Sequence, residues 1–209
     1  MRYYFKKIGL VFLYFVLTAI TGIMISGTTG VTEEGEVVTW TIIKFIMSLV
    51  NLSVFILSIV IMFYREGQSA YKQLGINDII RRRIVETGKD MPMKREEEYH
   101  AWKGFVLPLF IFIPMAILLI IHLIVGLSTG YQNTTFGVIS SFIYMAFYSP
   151  IFTFAAQGTI SPTAHFVTLY AIPLTSIITG VSYMLGARKR KKEEQLIEDK
   201  NRAIYGDKE

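Results

Sequence analysis

Apolar residues in this chain come in uninterrupted runs of about 20, each long enough to cross a hydrocarbon core roughly 30 Å thick. A soluble domain instead alternates apolar and polar positions, because one face meets a core and the other meets water. The pattern predicts an all-α, polytopic helical membrane bundle. Spans are expected at about 8–26, 40–64, 104–125 and 165–186, and a further apolar run occupies about 137–156. Trp40 and Tyr64 bracket the second span, as amphipathic rings do at the two membrane interfaces. The run behind Arg2-Tyr3-Tyr4-Phe5-Lys6-Lys7 exceeds the roughly 7 to 15 apolar residues of a cleavable signal, so it reads as an uncleaved span.

Charge orients these runs. Of the 21 Lys and Arg residues, all but Lys44 lie in 1–7, 65–103 or 188–209. The segment between the first two runs carries Glu33, Glu34 and Glu36 with no cation, and 104–187 holds no Asp, Glu, Lys or Arg. Cations favour the cytoplasmic side. The expectation is therefore a multi-pass protein of the cell membrane, one membrane domain over 1–209, with the N-terminus, the loop 65–103 and the tail 187–209 in the cytoplasm. Three crossings between 104 and 187 would place Arg188-Lys189-Arg190-Lys191-Lys192 outside, so two are preferred. On that reading 137–156 is re-entrant, broken near Ser149-Pro150, and the fold has four spans plus one broken apolar segment. Five full spans with an external tail is the alternative.

Within the cytoplasmic loop, Asn77 or Asp78 is expected to cap a short helix bearing Ile76, Ile79, Ile80 and Ile84, with Gly88 ending it. A second helix is expected from about Asp90, with Pro92 in its first turn, through Glu96, Glu97, Glu98 and His100 into the third span. Pro108 and Pro114 are expected to kink that span, and the last 22 residues read as a charged helix.

Candidate chemistry is sparse. Lys44 lies within a span, where a cation costs several kcal/mol unless it reaches water or a partner. Lys44, Ser48 and Asn51 share a helix face with Thr41 and Ser58, a seam that suits a polar path. Against that, Lys44 lies one turn from Trp40 and snorkels readily toward Glu34 or Glu36, and a deep asparagine more often joins two helices. Thr18, Gly22, Ser26 and Gly30 recur every fourth residue, a spacing that favours close helix packing. Thr175, Ser176, Thr179 and Ser182 near Pro173 suit either a broken-helix site or a kink satisfied by hydroxyls.

Arg81, Arg82 and Arg83 beside the isoleucine stripe, and Arg188, Lys189 and Arg190 after the last run, suit contact with anionic head groups or with a partner. Glu96 to Glu98 near His100 look like acid/base equipment, but a solvated helix face with a Lys94–Glu98 pair explains them more simply. The absence of cysteine excludes disulfides, thiolate metal sites and a cysteine nucleophile. His100, His122 and His165 fall in three segments without ligand spacing, so neither metal nor cofactor is expected.

The function these features suggest is non-catalytic: an accessory, scaffold or regulatory subunit of a membrane complex. A small solute transporter or channel protomer, with its path along the second span, is the rival. Expected partners are the bilayer with its anionic head groups and other membrane subunits or a second copy of the chain, not nucleic acid.

Overall fold

The computed structural model describes residues 2–27, 37–129 and 162–206, and all of its regular elements among them are helical. Among the described residues four long helices dominate: α1 (Arg2–Gly27), α2 (Val37–Thr87), α3 (Lys103–Thr129) and α4 (Pro162–Tyr205). A single 3₁₀ turn, Arg95–Glu97, interrupts the link from α2 to α3. The apolar run at 137–156, with the choice between dipping and crossing, lies outside the described residues.

At a rise of about 1.5 Å per residue, α1 and α3 measure about 40 Å, close to what one bilayer crossing with its interfaces requires. The 51 residues of α2 and the 44 of α4 reach about 76 and 66 Å, well beyond any single crossing. By length and composition, two described helices, the one containing Phe5–Gly22 and the one containing Leu49–Thr87, pass as membrane-crossing candidates.

The cytoplasmic loop departs from expectation. No new helix begins at Asn77 or Asp78; α2 passes through both without a break, since Gln73, Asn77 and Arg81 keep one face of the same helix supplied with partners further along the chain. Gly88 does end it. Its φ of +67° belongs to the left-handed region that glycine enters without steric cost, and its N–H bonds the Ile84 carbonyl at 2.9 Å. Gly206 closes α4 in the same way, with φ +72° and a 2.9 Å bond to the Arg202 carbonyl. No helix starts near Asp90 either: the chain from Gly88 to Lys94 is irregular, and α3 begins only at Lys103. Pro173 lies inside α4 without ending it.

The chain divides into two compact units. The first, residues 6–59 and 108–175, is apolar. Val11, Phe55 and Ile59 form its described core, and the polar residues Thr18, Asn51 and Thr175 are also buried. Its large aliphatic side chains point outward instead: Leu13, Leu17, Ile20 and Met24 on α1, and Ile113, Ile117, Ile120 and Ile124 on α3, each set at helical spacing.

The second unit, residues 1–5, 60–107 and 176–209, holds the first turn of α1, the charged half of α2, the link, the start of α3 and the charged half of α4. Its helices approach very closely at glycine. A Cβ added to Gly67 would collide with the Tyr183 carbonyl, and one added to Gly186 would collide with the Tyr64 carbonyl. Backbone atoms block both, so these positions on α2 and α4 admit only hydrogen. At the start of α3, Pro108 has no N–H to donate to the Gly104 carbonyl. Thr179 of α4 supplies the missing donor, its hydroxyl lying 2.9 Å from that oxygen, and the Ser176 hydroxyl donates to the Phe105 carbonyl.

Candidate functional site

The densest polar chemistry among the described residues lies in the second unit. It is built on one face of α2, where Phe63, Glu66, Gly67, Ala70 and Asn77 are all buried. This spacing follows the helical repeat, so a carboxylate and an amide share a stripe with small residues that let the neighbouring elements come near. Glu66 is 8% exposed and Asn77 fully enclosed.

Asn77 and Glu98 tie the link back onto α2. The Asn77 amide donates to a Glu98 carboxylate oxygen at 2.6 Å, the Arg81 guanidinium donates to the same oxygen at 2.5 Å, and Gln73 donates to the Asn77 carbonyl at 3.0 Å. Burial pushes the Glu98 carboxyl up, but the hydrogen bonds from Asn77 and Arg81, with the charges of Arg81 and His100, outweigh it and hold the group below its ordinary value. Glu98 is therefore no solvated helix face. Lys94 pairs with Glu97 at 3.5 Å, and Glu98 pairs with Arg81 instead of Lys94.

Lys103, the first residue of α3, is buried. Its ammonium donates to the carbonyls of Glu96 and Glu98, both at 2.7 Å, so a cation fastens the 3₁₀ turn in place of a helix. Burial lowers its pKa, an effect opposed by the charges of Glu98, Glu66 and Glu96. Beside it, the Tyr3 phenol of α1 donates to the Glu66 carboxylate. Burial and the nearby Glu97 charge lift the Glu66 carboxyl to about 7, with Lys103 pulling in the other direction. Aromatic rings wall the cluster: Tyr99 stacks on the buried Tyr183 with centroids 5.4 Å apart, and Tyr71 meets Tyr99 edge-on at 6.1 Å.

The expected polar path is placed only in part. Asn51 is buried in the apolar unit, where its amide donates to the Thr18 carbonyl at 3.0 Å and its own carbonyl accepts from the Thr21 hydroxyl at 2.8 Å. Both ends of its side chain are thus committed to α1. Ser58 turns back to the Val54 carbonyl of its own helix. Lys44 and Ser48 belong to α2, and His122 and His165 to α3 and α4, but these four side chains lie outside those described.

Of the candidate surface cations, Arg81 bonds both Asp78 and Glu98 at 2.5 Å, while Arg82 and Arg83 are exposed. Arg188 and Lys189 are exposed, and Arg190 bonds Glu194 at 2.8 Å along α4. Sequence reasoning missed Glu66, Asn77, Glu98 and Lys103 as a group. The available signal was the position of Glu66 one helical turn from both Phe63 and Ala70, a charge on a face otherwise made for burial. Comparison of the chain with family models, with curated proteins and with solved structures finds no match in any of the three.

Proposed function

We propose that this chain is a non-catalytic, multi-pass protein of the cell membrane that serves as an accessory, scaffold or regulatory subunit of a membrane complex. The observation that carries this reading is the inversion of polarity in the apolar unit. Ile46, Val50, Val54 and Leu57 of α2 face outward, while Asn51 faces inward with its hydrogen bonds made to α1. Lipid is the solvent that suits such a surface, since large apolar faces exposed to water mark binding sites or aggregate.

Four spans with both charged ends in the cytoplasm remains the topology that the distribution of cations favours. Arg188, Lys189 and Arg190 follow directly on the last apolar run, at the level where anionic head groups are reached. Arg81 to Arg83 stand about 25 Å beyond Tyr64 along the continuous α2, which suits a cytoplasmic protein partner better than a lipid surface.

The engaged side chain of Asn51 speaks against the rival transporter reading. Lys44→Ala and Asn51→Leu variants in liposomes, assayed for solute uptake and conductance, test the choice. The accessory reading expects the same flux as the parent from correctly folded protein. A selective loss of flux, with the fold intact, would favour a path along α2.

A further inference from the structure

On the outward faces of α2 and α4 the chemistry changes at one height. Along α2, exposed Ile61 is followed one turn later by exposed Arg65; along α4, exposed Val181 and Leu185 are followed by exposed Arg188 and Lys189. The two changes are level because the helices are in backbone contact there. Tyr64, the neighbour of Arg65, packs its backbone on Gly186, and Gly67 packs on the Tyr183 carbonyl. The start of α3 belongs to the same level, since Gly104 lies against the Tyr183 side chain. Two residues before it, Trp102 is 54% exposed, with the His100 ring stacked beside it at 6.2 Å. Aliphatic side chains below one level, cations above it and an exposed indole at the boundary follow the layering of a bilayer from acyl chain to head group.

The cations at this level also differ from others in the same unit. Arg81 and Arg190 give their guanidiniums to Glu98 and Glu194, and Lys103 gives its ammonium to backbone carbonyls. Among the described residues no acid pairs with Arg65 or Arg188, and Lys189 meets Glu193 only at 3.9 Å. We propose that Arg65, Arg188 and Lys189, with Trp102, form a collar that binds the phosphates of anionic phospholipids and sets the depth of the chain in the leaflet it faces there. A guanidinium meets a phosphate through two parallel hydrogen bonds, the indole lies at the head-group level, and the aliphatic residues one turn away enter the acyl layer. The collar rests on the membrane reading, but not on which side of the membrane is cytoplasmic. Arg82 and Arg83, about 25 Å beyond Arg65 along α2, take no part in it.

Trp40→Phe leaves Trp102 as the sole tryptophan. In this background the full chain is reconstituted in liposomes. Trp102 emission is quenched with phosphatidylcholine brominated either near the glycerol or at the chain end, and energy transfer from Trp102 is measured to pyrene-labelled phosphatidylglycerol or phosphatidylcholine. The expected results are stronger quenching by the shallow bromines and about fivefold enrichment of phosphatidylglycerol, the gain that one cation near an anionic surface brings. Arg65→Gln, Arg188→Gln and Lys189→Gln together should bring the two lipids to parity, while Arg82→Gln with Arg83→Gln should leave the enrichment unchanged. In a chain that floats with the liposomes and keeps its helical circular dichroism, three results overturn the collar: quenching that is absent or stronger from the deep bromines, no lipid preference in the parent, or a preference that survives the triple change. A chain that does not float with the liposomes overturns the membrane reading, and the collar with it.

Discussion

Glu66 and Thr179 are the residues whose chemistry makes the sharpest demands. The folded chain holds the Glu66 carboxyl at about 7 against 4.5 in its ordinary state, so the folded form binds this proton more tightly than the unfolded form. Below 4.5 both states are protonated and the stabilising contribution is fully present. Between 4.5 and about 7 the unfolded chain ionises first, and the contribution falls with rising pH until it is lost. The difference is on the order of 3 kcal/mol. In denaturant titrations in micelles, the parent should lose stability relative to Glu66→Gln between pH 5 and 8, and parallel curves would refute the assignment. Thr179 donates to the carbonyl that Pro108 cannot serve. Thr179→Val leaves that buried oxygen without this bond and should cost about 1 to 3 kcal/mol in the same assay. Asn51→Leu removes hydrogen bonds to α1 and should cost about 1 kcal/mol. The sequence shows Asn51 as a polar residue within a span, but only its contacts with Thr18 and Thr21 separate glue from path.

At the scale of elements, glycines distinguish close packing from simple flexibility. Gly67→Ala and Gly186→Ala would drive a methyl group into backbone of the facing helix and should each destabilise by several kcal/mol, on the order of an overpacked core. Gly75 of α2 has open space around it, so Gly75→Ala should stabilise by about 0.5 to 1 kcal/mol through helix propensity alone. Circular dichroism melts of the three variants check the contrast. Much of this level was legible in advance. The four apolar runs coincide with long helices wherever residues are described, and Gly88 ends α2 as its place after Ile84 and Thr87 suggests. The link was not legible. A run such as Glu96-Glu97-Glu98 after Pro92 has helical composition, yet Asn77, Arg81 and Lys103 hold it in another shape through bonds to residues 5 to 21 positions away. Local pattern carries no trace of partners at that distance.

For the whole molecule, the topology expected from the sequence rests on charge, because cations flanking a span favour the cytoplasmic side of a bilayer. Reversing the charges of Arg188, Lys189, Arg190, Lys191 and Lys192 should disturb insertion of the last span far more than changes at Lys200 or Lys208, as read by protease protection of the tail in sealed vesicles. The distribution of cations predicts that the charged halves of α2 and α4 lie on the cytoplasmic side of one membrane. Single cysteines at Lys89, Gly206 and Glu34, probed with an impermeant maleimide on intact cells, test it most directly. Labelling of the Glu34 position is expected on intact cells, with the Lys89 and Gly206 positions labelled only after permeabilisation. Labelling of the Gly206 position on intact cells would contradict it.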